Sequence, residues 1–202
     1  NKAKEEGNIL SFDLDTRPQV LIAAASEIDD SDPCWCDVSP AARLHRIVSL
    51  GQSDDPETLK AVAEIMRVLS FNQRSRALLA ESQYVMEVLC RHVISERPQV
   101  SWCAVQTLAN LLERSELCAR GQLPVTPEAV LRLRELLATE DPRSVLAICR
   151  ILQCCCNNDP TATAEFARAG GASALVALRA RHCVELDIEV ARVLRAMARH
   201  VS

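Results

Sequence analysis

From about residue 40 onward, apolar residues recur every three to four positions. This is the period of helices that bury one face. The pattern predicts helices over residues 40–50, 56–71, 84–95, 98–112, 126–139, 142–155 and 161–169, with two more after Gly170-Gly171. The breaks fall at residues 51–55, near Ser82, at 121–124, at 157–160 and at 170–171. Pro56, Pro98 and Pro142 stand at predicted first helical positions. A missing N–H costs nothing there, and the proline φ is already helical.

The helices repeat. Ile65-Met66-Arg67-Val68-Leu69, Leu108-Ala109-Asn110-Leu111-Leu112, Ile148-Cys149-Arg150-Ile151-Leu152 and Val190-Ala191-Arg192-Val193-Leu194 share one pattern. Each has an apolar residue, any residue, a polar residue, then two apolar residues. The polar member sits at 67, 110, 150 and 192, giving spacings of 43, 40 and 42. Self-similarity at that period marks an α-solenoid of two or three helices per unit. A helix pair of this kind cannot bury its apolar faces alone, so neighbouring units must stack.

The segment Glu165-Phe166-Ala167-Arg168-Ala169-Gly170-Gly171-Ala172-Ser173-Ala174-Leu175-Val176-Ala177-Leu178 resembles the short first helix, Gly-Gly turn and second helix of the armadillo-repeat family. A second resemblance runs from Asn72 to Ser82 and into Val85-Met86-Glu87-Val88-Leu89, with Ser82-Gln83 in place of Gly-Gly. Residues 111–142 depart further, with a poor short helix at 117–125. The nearest competitor is the HEAT solenoid, with two helices per unit; the short helix before Gly170 favours armadillo. The expected fold is all-α, a right-handed solenoid of about four armadillo-like repeats over residues 40–202. The resemblance implies an extended peptide bound along a concave groove lined by the third helix of each repeat, and no enzyme activity.

Residues 1–39 do not fit the repeat and read as an acidic extension, with a possible short helix over 17–28. Residues 1–32 carry eight acidic side chains against three basic ones. Within them, Phe12 and Leu14 alternate with Asp13 and Asp15. In an extended backbone the apolar pair points one way and the acids the other. The segment reads as a docking element on this solenoid or on a partner, or else as a disordered linker.

The whole chain has 202 residues, a net charge of −4 and only 3% aromatic residues, so its core must be built from Leu, Val, Ala, Ile and Cys. The charge is not basic enough to suggest nucleic acid. No signal peptide, membrane span or lipidation motif is visible, and a cytoplasmic or nuclear setting is expected. The first residue is Asn, so the chain reads as a segment of a longer one. Most of the ten cysteines, among them Cys90, Cys103, Cys149, Cys154, Cys155 and Cys183, lie in helical patterns, where a reduced thiol acts as a small apolar residue. Cys34-Trp35-Cys36 and Cys154-Cys155-Cys156 lack the paired spacing of a zinc site, and Cys156 falls where a helix is expected to end. No metal, cofactor or catalytic set is expected.

The Arg67, Asn110, Arg150 and Arg192 series is the sharpest feature. Its position resembles the armadillo third-helix site where Asn side chains bond a bound peptide backbone, and only Asn110 keeps Asn. Arginines stacked one repeat apart, on the order of 10 Å, would favour carboxylates or exposed carbonyls. The competing reading pairs Glu64 with Arg67 and Glu189 with Arg192 as ordinary i, i+3 ion pairs. Seven residues earlier, two turns along, lie Lys60, Cys103, Arg143 and Glu185. Trp102, Gln106 and Asn110 share one helix face at i, i+4, i+8, which fits a groove or, for Trp102, a core.

The expected function is a protein–protein interaction scaffold or adaptor. Its groove residues are Arg67, Trp102, Gln106, Asn110, Arg143, Arg150 and Arg192, and its docking segment is Phe12, Asp13, Leu14 and Asp15. The expected partner is an acidic or acidic–apolar peptide segment. The alternative is an oligomerisation or assembly module that stacks through its terminal helices.

Overall fold

Side-chain caps and prolines set the starts of most helices. Asp55, Ser82, Thr126, Asp141 and Asp159 each accept a hydrogen bond from a backbone N–H in the first turn of the helix that follows. Pro56, Pro127, Pro142 and Pro160 stand directly behind four of these caps. Such a cap satisfies an N–H that the helix itself leaves without a partner. At Asp55 the bonds from the Thr58 hydroxyl and backbone N–H hold the carboxyl below its ordinary value.

The computed structural model describes residues 40–113, 125–139, 141–181 and 183–200. In chain order the helices are α1 (Pro40–Leu50), α2 (Pro56–Phe71), α3 (Gln73–Glu81), α4 (Gln83–Ile94), α5 (Pro98–Glu113), α6 (Pro127–Leu136), α7 (Pro142–Asn158), α8 (Pro160–Arg168), α9 (Gly171–Leu178) and α10 (Val184–Ala198). A 3₁₀ turn, Arg179–Arg181, joins the last two. No strand occurs among the described residues.

The packing is that of a solenoid. The long helices α2, α5, α7 and α10 stack in sequence order, each on the next. A second row, α1, α4 and α6, stacks behind them, and each of these also packs on its own long helix. The short helices α3 and α8 bridge one unit to the next: α3 packs on α2, α4 and α5, and α8 on α6, α7 and α9. The described helices therefore group as α1–α2, α3–α5, α6–α7 and α8–α10.

Several expected boundaries move. The helix expected to stop near Cys155 runs to Asn158, and Asp159 both ends it and caps α8. The predicted break at 157–160 thus shrinks to one residue. Cys156 stands in the last turn of α7, where it is buried, and its carbonyl accepts the Thr163 hydroxyl. The helix expected to reach residue 139 ends at Leu136, and residues 137–138 form a turn. Cys183 precedes α10 instead of lying within it. The expected helices at 17–28 and 117–125, the Cys34-Trp35-Cys36 cluster and the Phe12–Asp15 docking segment lie outside the described residues, save Val125, which precedes α6.

Cysteine is the natural filler of α7. Cys154, Cys155 and Cys156 are all buried, and three consecutive residues sweep about 200° of a helix. Only a helix enclosed on several sides can bury such a run. α7 has that enclosure, since α5, α6, α8 and α10 all pack on it. The side chains facing so many neighbours must be small and apolar, which a thiol is. The seven described cysteines are free of disulfides.

Candidate functional site

The stack brings Arg67, Asn110, Arg150 and Arg192 to the same register on α2, α5, α7 and α10. Beside this row, side-chain contacts join α2 with α5 and α7 with α10. Asn110 donates through Nδ2 to Ser70 Oγ at 2.9 Å, and Ser70 Oγ donates to the Arg67 carbonyl at 2.6 Å. Further along, Arg150 Nε lies 4.0 Å from Glu189 Oε1, and that oxygen accepts from Arg192 Nη1 at 2.8 Å.

The row is not a line of open guanidinium groups. Arg67 makes a forked pair with Glu64, Nε to Oε2 at 2.9 Å and Nη2 to Oε1 at 2.6 Å. Their side chains are only 15% and 23% exposed. The Cys103 thiol donates to the same Glu64 Oε2 at 3.2 Å. The Glu64 bond raises the Arg67 pKa above its ordinary value. Burial, then the bond to Glu64, pushes the Cys103 thiol up to about 12. The Arg67 guanidinium also lies over the Phe71 ring, 5.6 Å from its centroid, within cation–π range.

At the other end, Glu189 is buried while Arg150 and Arg192 beside it are 42% and 52% exposed. Glu189 Oε2 has no hydrogen-bond partner. Both i, i+3 pairs weighed from the sequence are therefore formed. Arg143 is exposed on the first turn of α7. The other residues one and two turns before the row are not uniformly outward. Cys103 is buried, as is Thr107, whose hydroxyl donates to the Cys103 carbonyl. Trp102, Gln106 and Asn110 are all half-buried on α5, and Trp102 packs against the core.

Two members of this face were not anticipated. Ser70 links the first two ladder positions, and Phe71 is 60% exposed at the end of α2. An aromatic one turn after a ladder arginine is a usable sequence signal. The Ser70 bridge has none, because it depends on which helix stacks next. Among the described residues no group of three or more His, Cys, Asp or Glu side chains is placed to hold a metal. No described helix is long and apolar enough to cross a membrane.

No family model and no curated protein matches the sequence. Solved structures do match. A chain from a structure of the phosphorylation-controlled interaction between cadherin and beta-catenin superposes with a TM-score of 0.68 and 17% identity, covering 88% of this chain and 32% of that one. A designed armadillo repeat protein in complex with the peptide (KR)4 gives 0.55 and 17%, covering 77% of this chain and 64% of that one. An engineered protein gives 0.59 and 22%, covering 79% and 64%. The chain thus spans less than two thirds of the length of each. At these identities the likeness establishes the fold: an all-α solenoid of armadillo-type repeats.

Proposed function

We propose that this armadillo-fold chain is an interaction scaffold that holds an extended, acidic or acidic–apolar protein segment across its third-helix face. The observation that supports it best is the register of the polar position on four stacked helices, with Asn110 and three arginines in one row. Repeating polar groups at the spacing of the repeats suit a ligand that is itself extended and repetitive, a peptide backbone. A groove peptide also fits the neighbours of the fold, one of which was solved with (KR)4 bound. The charge preference is reversed here. This face offers guanidinium groups at Arg143, Arg150 and Arg192, and guanidinium forks match carboxylates.

The two Glu–Arg pairs narrow where such a ligand would be held. Arg67 is committed to Glu64, so its contribution is chiefly the Arg67–Phe71 platform. Carboxylate contacts would fall on Arg143 of α7 and on Arg150, which is half-exposed and shares Glu189 with Arg192, with Gln106 and Asn110 of α5 beside them for backbone amides. Apolar side chains of the ligand would meet Trp102 and Phe71. Phe12, Asp13, Leu14 and Asp15 have the alternating chemistry this face would take, which makes them a candidate self-ligand as well as a probe.

The test is fluorescence anisotropy with a labelled peptide of residues 9–15 and with a Lys/Arg peptide of equal length. The acidic–apolar peptide should bind and the basic one should not. Arg143→Glu with Arg150→Glu should weaken binding about tenfold or more, since two charge-assisted contacts are lost. Equal binding of both peptides, or no effect of the double variant, would sink the reading.

A further inference from the structure

Glu64 and Glu189 occupy the same register, each three residues before a ladder arginine, with Thr107 and Ala147 at that position in between. The two carboxylates are held very differently. Glu64 uses both oxygens: Oε1 accepts Arg67 Nη2, and Oε2 accepts Arg67 Nε and the Cys103 thiol. Glu189 uses one. Its Oε1 accepts Arg192 Nη1 at 2.8 Å and lies 4.0 Å from Arg150 Nε, beyond hydrogen-bond reach. Its Oε2 is buried and has no hydrogen-bond partner among the described residues. That oxygen is enclosed by atoms of this chain, so its lack of a partner does not depend on what stands beside α10.

Burial separates the two pairs as well. Arg67 and Glu64 are shielded together. The Glu189 side chain is 10% exposed while that of Arg192 is 52% exposed. The guanidinium stands half in water and the carboxylate out of it. Taking a carboxylate out of water is offset only when its oxygens find donors inside, and here one of the two has none. The single bond returns little, because an ion pair with a half-exposed arginine is screened by solvent. A second carboxylate arriving at Arg192 from the solvent side removes that bond. Rotating outward then restores water to both Glu189 oxygens. Glu64, with three bonds on two oxygens, gains nothing from the same movement.

We infer that Glu189 is an internal competitor at the α7–α10 end of the ladder: its carboxylate occupies Arg192 in the free chain and swings out when the carboxylate of a bound segment takes that guanidinium. The inference rests on the acidic-ligand reading of this face. It makes Glu189 a specificity-determining residue. A ligand group is admitted there only if it is a better partner for Arg192 than a half-satisfied glutamate. A solvent-side carboxylate meets that condition, and a neutral amide or hydroxyl does not, because charge-assisted bonds to guanidinium are the stronger ones.

Fluorescence anisotropy tests this with the labelled peptide of residues 9–15 and with the same peptide carrying Asp13→Asn and Asp15→Asn. In the protein, Glu189→Gln keeps the shape and removes the competing charge. It should tighten the acidic peptide about tenfold and the neutral one by less than about twofold, with melting unchanged or raised. Glu185→Gln removes the same charge from an exposed position one turn earlier. It should tighten the acidic peptide by less than about twofold, because it displaces nothing from Arg192. Arg192→Met should erase the gain from Glu189→Gln. Equal gains from the two glutamate variants would reduce the effect to a general field and overturn the inference, as would a lowered melting point for Glu189→Gln. No gain from Glu189→Gln, in a chain that still binds the acidic peptide through Arg143 and Arg150, overturns the inference and leaves the acidic-ligand reading standing. An acidic peptide that binds neither the wild type nor Glu189→Gln overturns both.

Discussion

Asn110 and Ser70, forty residues apart in sequence, are joined by a 2.9 Å hydrogen bond from the Asn110 amide to the Ser70 hydroxyl. The hydroxyl passes its own hydrogen to the Arg67 carbonyl at 2.6 Å, and Ser70 is fully buried. The one ladder position that keeps Asn is therefore also a joint between α2 and α5. That joint links the two helices beside the ladder, in addition to their apolar packing.

Asn110→Ala is expected to cost about 1 kcal/mol of stability, the net worth of one such bond. Urea denaturation checks it. If Asn110 served only a ligand and no joint, stability would not change.

The turn before α9 gives a sharper prediction, because two adjacent glycines are needed for different reasons. Gly170 has φ +78°, and the nearest atom to an added Cβ is Arg134 Nη2 at 3.9 Å. The constraint there is backbone conformation, about 1–2 kcal/mol for an L-residue. Gly171 has an ordinary φ, but a Cβ would fall 2.5–2.6 Å from the Phe166 ring, which is fully buried. Gly170→Asn should be tolerated better than Gly170→Ala, since Asn enters the left-handed region more readily. Gly171→Ala should cost roughly 1–3 kcal/mol, the usual penalty of overpacking, and Gly171→Asn should be no milder. Thermal melts of the four variants check the ranking.

His92 makes stability depend on pH. Its Nε2 lies 3.0 Å from the Gly51 carbonyl, so that nitrogen carries the hydrogen, and Nδ1 is buried without a partner. Burial lowers its pKa below the ordinary 6.5, an effect that the Gly51 bond opposes and the Arg91 charge reinforces. The unfolded chain therefore takes up the proton first as pH falls. The contribution of neutral His92 is fully present above about pH 6.5 and is lost progressively below it, down to the folded-state pKa. His92→Gln should flatten the denaturation midpoint against pH in that window. An unchanged slope would show that His92 is not its source.

The helices and their order were legible in the sequence because the apolar period, the Pro starts and the polar position at 67, 110, 150 and 192 are all local or periodic signals. The fates of the individual ladder residues were only half legible. Glu64–Arg67 and Glu189–Arg192 lie three residues apart, so helical spacing alone brings each pair together. Ser70 with Asn110, Cys103 with Glu64, and Arg150 with Glu189 depend on how the stacked helices rotate, which no single-helix pattern encodes. The same limit explains Cys156. Its burial reflects enclosure of α7 by its neighbours, and that enclosure is not written in α7 itself.

Native-state alkylation should sort the cysteines by environment. Burial pushes the Cys149 thiol up to about 12 and the Cys156 thiol up to about 11, and Cys103 also reaches about 12. Thiolate is the reactive form, so these three are expected to resist iodoacetamide at pH 8 until the chain unfolds. Cys183, half-exposed before α10, should label first among the seven described cysteines. Peptide mapping after a short pulse checks the order. In denaturant without reductant, nearly all ten cysteines of the chain should titrate as thiols.

Glu64 offers the most direct separation of ladder from scaffold. It holds Arg67 by both guanidinium edges and also accepts the Cys103 thiol. A carboxylate from a bound segment would have to compete with it. Glu64→Gln keeps the shape and an acceptor oxygen but removes the charge. Stability should fall by about 1–3 kcal/mol, the range for hydrogen bonds to charged groups, because the pair is largely shielded from water. If the third-helix face takes acidic segments, the released Arg67 charge should at the same time tighten binding of the peptide of residues 9–15 by about 1 kcal/mol, roughly fivefold. The two readouts come from one variant and move in opposite directions, which no general loosening of the fold would produce. Loss of stability with unchanged or weaker peptide binding would assign Arg67 to holding α2 against α5 and remove it from the binding face.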